Sequence, residues 1–252
     1  MVAPIIRFSR HCLLALLWSC VSSSFVLAQP QPEPPSFEEV LARAQRGEII
    51  MQLTVGRMYE ERGSYTNAVR WYQEAAKAGD AGGQFKLGLL HAQGAGVPRD
   101  AAAAVKWFEQ SAKQGFSAAQ YNLGVCWEKG IGTPARNYTE ALKWYRLAAE
   151  QSDPFAQKAL GVFYEKGLGV KADLAEAYKW YALASAGGFT EGETLRKNLA
   201  AKFKPEELVA AQKRFIDYAA ARAANSAAPP PRLPVEATAK PATKAKTKDF
   251  LD

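Results

Sequence analysis

Beyond residue 28 the 252-residue sequence holds one histidine, His91, and one cysteine, Cys126. These are the residue types of a thiol nucleophile and its base. Both, however, fall in slots otherwise filled by packing residues. His91 stands where Tyr59, Trp127 and Tyr164 stand, three residues after a recurring glycine, and Cys126 stands where Met58, Leu90 and Phe163 stand. The expectation is a core or groove-edge imidazole and a buried apolar thiol. No group of His and Cys has the spacing of a metal site. The carboxylate pairs Glu60-Glu61 and Glu206-Glu207 are sequence neighbours, expected on solvated helix faces. Gly94-Ala95-Gly96, Gly130-Ile131-Gly132 and Gly167-Leu168-Gly169 follow helical patterns, whereas a phosphate loop follows a strand and carries a longer glycine pattern. The residue types point to no enzyme, no cofactor and no metal.

What positions these residues is an internal repeat. The pairs Trp71-Tyr72, Trp107-Phe108, Trp144-Tyr145 and Trp180-Tyr181 recur about every 36 residues, and Gly56, Gly88, Gly124 and Gly161 recur in step, each after an apolar residue. Periods of this size signal a stack of helical hairpins. In each unit, helix A ends at a Gly-x-Gly stop and helix B carries Ala and aromatic residues on one face, as in Ala141, Trp144, Tyr145 and Ala149. The predicted fold is all-α, a solenoid of four hairpins over about 49–80, 81–116, 117–153 and 154–189. Small residues bring the backbones together and rings fill the space between, so that stability accumulates over neighbour interfaces. Unit one is the outlier, with Gly63-Ser64-Tyr65-Thr66-Asn67 in place of the longer loop.

The flanks read differently. Residues 1–28 have a basic start (Arg7, Arg10), the apolar run Cys12–Trp18 and Val26-Leu27-Ala28, the pattern of a secretory signal peptide cut after Ala28. Retention as an anchor is disfavoured because serines interrupt the run, and lipidation at Cys20 because Trp18 stands near it. The location implied is periplasmic or secreted. Residues 29–35 form a linker, and 36–47 an N-terminal capping helix with a Ser36-to-Glu39 capping box and Gly47 as its stop. Helices over 191–221 close the solenoid, which spans 36–222. Residues 223–252 are Ala, Pro, Lys and Thr-rich and predict a disordered tail. The formal charge of +7 includes about two charges in the leader and about two in the tail, leaving about +3 on the fold, too little for a nucleic-acid surface.

The pattern Leu160-Gly161, Tyr164, Gly167, Gly169-Val170, Asp173, Ala177, Trp180-Tyr181 resembles the Sel-1-like repeat, a relative of the tetratricopeptide repeat. Thr133-Pro134-Ala135-Arg136-Asn137 departs from it by one residue. The resemblance implies a right-handed α/α solenoid acting as a non-enzymatic adaptor between proteins, often in a bacterial envelope. Some secreted relatives resemble β-lactam-hydrolysing proteins, but those are cysteine-rich. By analogy with tetratricopeptide arrays, partners bind the helix A face. Its residues include Thr54, Lys86, Asn122 and Ala159, then Arg57, Leu89, Val125 and Val162, then Glu60, Ala92, Glu128 and Glu165. Arg57, Lys86 and Asn122 are expected to hold a peptide carboxylate or backbone beside an apolar strip of Phe85, Leu89, Val125 and Val162. The alternative is cell-wall glycan binding, with Phe85 and Tyr121 stacking on sugars. Membrane contact would come only through an uncleaved or lipidated N-terminus.

Overall fold

The computed structural model describes residues 34–225. The expected signal peptide, the lipidation site at Cys20, most of the 29–35 linker and residues 226–252 lie outside the described residues. Within them are eleven α-helices and no strand: α1 (Phe37–Gln45), α2 (Ile49–Glu61), α3 (Tyr65–Lys77), α4 (Ala81–Gln93), α5 (Ala101–Lys113), α6 (Ser117–Lys129), α7 (Tyr138–Glu150), α8 (Pro154–Lys166), α9 (Leu174–Ala186), α10 (Thr190–Ala200) and α11 (Pro205–Asn225). Helix A of the four units is α2, α4, α6 and α8; helix B is α3, α5, α7 and α9. Each packs on the next along the chain.

The repeat glycines explain the pairing inside each unit. A Cβ on Gly88 would lie 2.5 Å from Phe108 Cε1, and one on Gly124 would lie 2.6 Å from Tyr145 Cδ1; Gly56 and Gly161 face Tyr72 and Tyr181 in the same way. These four rings are at most 2% exposed. Each ring lies flat on bare helix A backbone, a contact that any side chain on the facing residue would prevent. The tryptophans of the pairs do a different job. Trp71, Trp107 and Trp144 are half-buried against the cluster of the preceding element, and Trp180 is buried in the cluster that begins at Ala141.

The Gly-x-Gly loops are also spent on stacking. Gly94, Gly130 and Gly167 end helix A in the left-handed conformation. The second glycine presses on the first turn of the preceding unit's helix B: a Cβ on Gly96 would meet the backbone of Tyr65 and Thr66. Asp100, Asn137 and Asp173 then cap helix B, accepting from the amides of Ala103, Glu140 and Glu176 at 2.9–3.1 Å. The longer loop of unit three ends on Asn137 in the same role.

A buried polar series was not read from the sequence. Gln52, Gln84, Gln120 and Gln157, four residues before each repeat glycine, are buried. Gln52, Gln120 and Gln157 donate to the carbonyls of Ala44, Ala112 and Ala149 near the end of the preceding helix, at 3.1–3.3 Å. Each of these carbonyls also accepts from the backbone amide three residues on, so the glutamine takes up its second acceptor position. The offset of eight residues is the same from Gln52 to Ala44, which shows α1 to be an unpaired helix B, with Val40 in the slot of Tyr72. At the other end α10 is an unpaired helix A: Gly192 meets Ala184 and Ser185 as Gly83 meets Ala75 and Ala76. There the recurring Leu-Gly becomes Arg196-Lys197, so no ring can seat on α10.

The next helix therefore turns elsewhere. α11 packs on α9, where Tyr218 meets Trp180 edge-on at 5.7 Å and the Lys179 ammonium lies 4.4 Å from both ring centres. Arg214 pairs with Asp173 at 2.7 Å. Arg222 donates to Glu150 O and Ser152 Oγ at 2.6 and 2.7 Å. Ser152 holds φ 69° where the other units have glycine, and Arg222 braces that turn. This anchor and the alanine-rich sequence carry α11 to Asn225, past the boundaries expected at 221 and 222.

Gln84 and Gln120 accept through Oε1 from Gln114 and Gln151 at 2.8 and 2.7 Å. The donor to these glutamines is missing in units one and four, where Ala78 and Gly187 take the place of Gln114 and Gln151, and in unit one Gln52 Oε1 is buried without a partner. Ala78→Gln is expected to supply the donor and stabilise the protein by about 1 kcal/mol, raising Tm by about 2–4 °C in a thermal melt.

Candidate partner-binding cleft

Of the groove residues expected from sequence, the structure brings Thr54, Arg57, Phe85 and Lys86 together. Arg57 on α2 and Phe85 and Lys86 on α4 line a cleft of about 310 Å³, with Ile50, Leu53 and Thr54 on α2, Tyr72 on α3, Gly82 on α4, and Phe116 just before α6. Ile50 and Phe116 are 63% and 37% exposed. Arg57 is exposed, and no ion pair to it occurs among the described residues. Lys86 reaches Glu60 at 3.1 Å, and Glu60 also accepts from the Tyr72 hydroxyl at 2.7 Å. The cleft thus has apolar walls and a cationic rim, with one guanidinium uncommitted.

Gly82 adds no side chain to the cleft's α4 wall beside Leu53. A Cβ there would lie 3.7 Å from Leu53 Cδ1. In unit four the same position is Phe155, whose ring sits 5.8 Å from Tyr121, the counterpart of Leu53. A ring fills between α6 and α8 the space that Gly82 leaves open between α2 and α4. The comparison of Gly82 with Phe155 was available in the aligned sequence, whereas the parts played by Ile50, Leu53 and Phe116 needed the packing.

The other expected residues serve the fold. Glu128 and Glu165 accept from the hydroxyls of Tyr145 and Tyr181, the latter at 2.9 Å, and Glu165 also pairs with Lys202 at 2.7 Å. Burial pushes the Glu165 carboxyl up, but the bonds from Lys202 and Tyr181 outweigh it and leave the group below its ordinary range. Burial first, then Glu128, holds the Tyr145 hydroxyl far above its ordinary value, a neutral donor. Unit two shows the converse, since Phe108 has no hydroxyl and the Glu position is Ala92. Leu89, Val125 and Val162 are half-buried against the apolar clusters. Asn122 donates back to Ala118 O at 2.7 Å, away from Arg57, and borders a hollow of about 20 Å³ with Phe108 and Cys126. Tyr121 and Phe85 are half-buried, each against two further rings.

The chemistry-bearing residues follow suit. His91 is half-buried with Nδ1 unpartnered. Cys126 is buried and free, and burial pushes its thiol up to about 12. Among the described residues no group of three or more His, Cys, Asp or Glu could hold a metal ion, and no helix is long and apolar enough to cross a membrane. A second hollow, of about 470 Å³ beside α11, has Arg222 as its one charged residue, already engaged with Glu150 O and Ser152.

Hairpins stacked through glycine–ring contacts, with an open cleft on the A helices, define a helical repeat protein of the kind that holds other proteins. The chain belongs to the Sel1 repeat family, whose model matches residues 55–80, 81–116, 117–153 and 154–189. A Sel1 repeat protein from Oxalobacter formigenes is similar in structure, with 30% identity over 71% of this chain and 77% of that one and a TM-score of 0.61. The protective antigen c5321 of uropathogenic Escherichia coli, which displays an SLR fold, is 27% identical over 81% of this chain and 53% of that one, with a TM-score of 0.49. No curated protein matches. Sel1 repeats are typically non-enzymatic scaffolds that mediate protein–protein interactions.

Two outcomes check these assignments. Glu128→Ala should cost about 1–3 kcal/mol in urea unfolding, because it strands the buried Tyr145 hydroxyl, and adding Tyr145→Phe, which recreates Phe108 and Ala92, should recover most of it. Cys126 should resist iodoacetamide at pH 8 in the native protein and react once unfolded, because the buried thiol stays protonated far above that pH.

Proposed function

We propose that the protein is an exported scaffold that captures an extended peptide segment of a partner protein in the α2–α4 cleft. The observation that carries this reading is the cleft itself, where an uncommitted Arg57 and the Lys86 ammonium rim an apolar hollow between two successive A helices. A peptide would place apolar side chains against Leu53, Phe85, Ile50 and Phe116, and a carboxylate or backbone carbonyl against Arg57. Glu60, bonded to the Tyr72 hydroxyl and to Lys86, ties α2 to α3 and α4, so that the cleft is preformed and little ordering is needed on binding. The leader pattern of residues 1–28 supports export to the periplasm or beyond. Sugar stacking has less support, since the rings of Phe85 and Tyr121 pack against other rings of the fold.

The test uses the geometry that opens the cleft. Gly82→Phe should fill it as Phe155 fills its counterpart, and Arg57→Glu should repel an anionic partner. Each is expected to weaken capture of the cognate partner at least tenfold in a quantitative pull-down, with helical circular dichroism unchanged. Unaltered capture by both variants would overturn the assignment.

A further inference from the structure

The cleft has a matching segment in the same chain. After Tyr218 the sequence has no aromatic residue until Phe250, and Phe250-Leu251 is flanked by Asp249 and Asp252. Nothing else in the Ala, Pro, Lys and Thr-rich stretch combines a large apolar pair with two carboxylates. A segment whose role were only to stay solvated has no use for such a pair. We propose that residues 249–252 occupy the α2–α4 cleft of their own chain and must be displaced by a partner. The inference rests on reading the cleft as a peptide site, and it adds self-occlusion as the regulation of that site.

Charge and reach support this occupant. An aspartate beside the pair would meet Arg57, the uncommitted cation of the rim, since Lys86 is already paired with Glu60, while Phe250 and Leu251 match the apolar walls. Arg222, near the end of α11, is bonded to the turn between α7 and α8. That turn lies at the start of a helix A, and the cleft opens at the starts of α2 and α4, so both are on one edge of the stack. At about 10 Å between packed helices, two or three units separate them by roughly 20–30 Å. The 24 residues between Asn225 and Phe250 can span up to about 80 Å. Tethering gives the segment an effective concentration in the millimolar range, so even a weak contact fills the cleft.

The experiment places a photo-crosslinking amino acid at Phe250 in the full chain and mixes chains of two isotopic compositions. The expected result is crosslinks to peptides of α2 and α4 within one isotopic species, lost with Gly82→Phe. Crosslinks elsewhere, or none, overturn the proposal. Crosslinks joining the two species also overturn it, because they make the occupant a second copy. As a second readout, a labelled peptide of residues 247–252 should bind at least tenfold more tightly to a chain with Phe250→Ala and Leu251→Ala than to the unaltered chain; equal affinity, or no binding to the altered chain, counts against it. The cleft reading stands or falls separately, since it fails only if Gly82→Phe and Arg57→Glu leave partner capture intact.

Discussion

The contact on which everything else depends is the seat of an aromatic ring on bare helix backbone. Tyr72, Phe108, Tyr145 and Tyr181 each lie against a glycine of the preceding helix, at a separation that admits no Cβ. This contact fixes the angle and depth at which helix B meets helix A, and hence where the next helix A begins. The small residues Gly83, Ala119 and Ala156 then let that next helix close on the one before. Because each unit buries its apolar faces only on its neighbours, the geometry of one contact propagates along the chain.

The same contact explains how the stack begins and ends. α1 is a helix B with Val40 where a ring would stand, and no helix A precedes it among the described residues. α10 is a helix A with Arg196-Lys197 where Leu-Gly would stand, and nothing can seat on it. α11 accordingly lies back over α9, burying Lys179 and Trp180, whose counterparts in earlier units are exposed or half-exposed. A solenoid open at both ends would offer apolar faces to other chains; here each end is closed by a change at one or two residues.

Function is left to what stacking does not consume. Tyrosine hydroxyls take up Glu60, Glu128 and Glu165, and the clusters take up much of Leu89, Val125 and Val162. The residues that remain converge where unit two has Gly82.

The sequence by itself determined the repeat, its period and the helical hairpins, because each is a periodic demand that the fold makes at every unit, and it showed how few catalytic residue types the repeat holds; that each ring seats on the repeat glycine of its own hairpin came from the structure. Arg57, Phe85 and Lys86 could be placed on the helix A face by counting alone. Counting could not show which residues of that face were already engaged. Glu128 and Glu165 are bonded from another helix, Asn122 turns back on its own helix, and Phe116 enters the cleft from the far end of unit two. The bonds to Glu128 and Glu165 join residues 16 to 37 positions apart, and their geometry depends on how far one helix sits from another. Tertiary structure alone decided how Ile50, Leu53 and Phe116 surround the space beside Gly82, because that depends on how closely α2, α4 and the start of α6 pack.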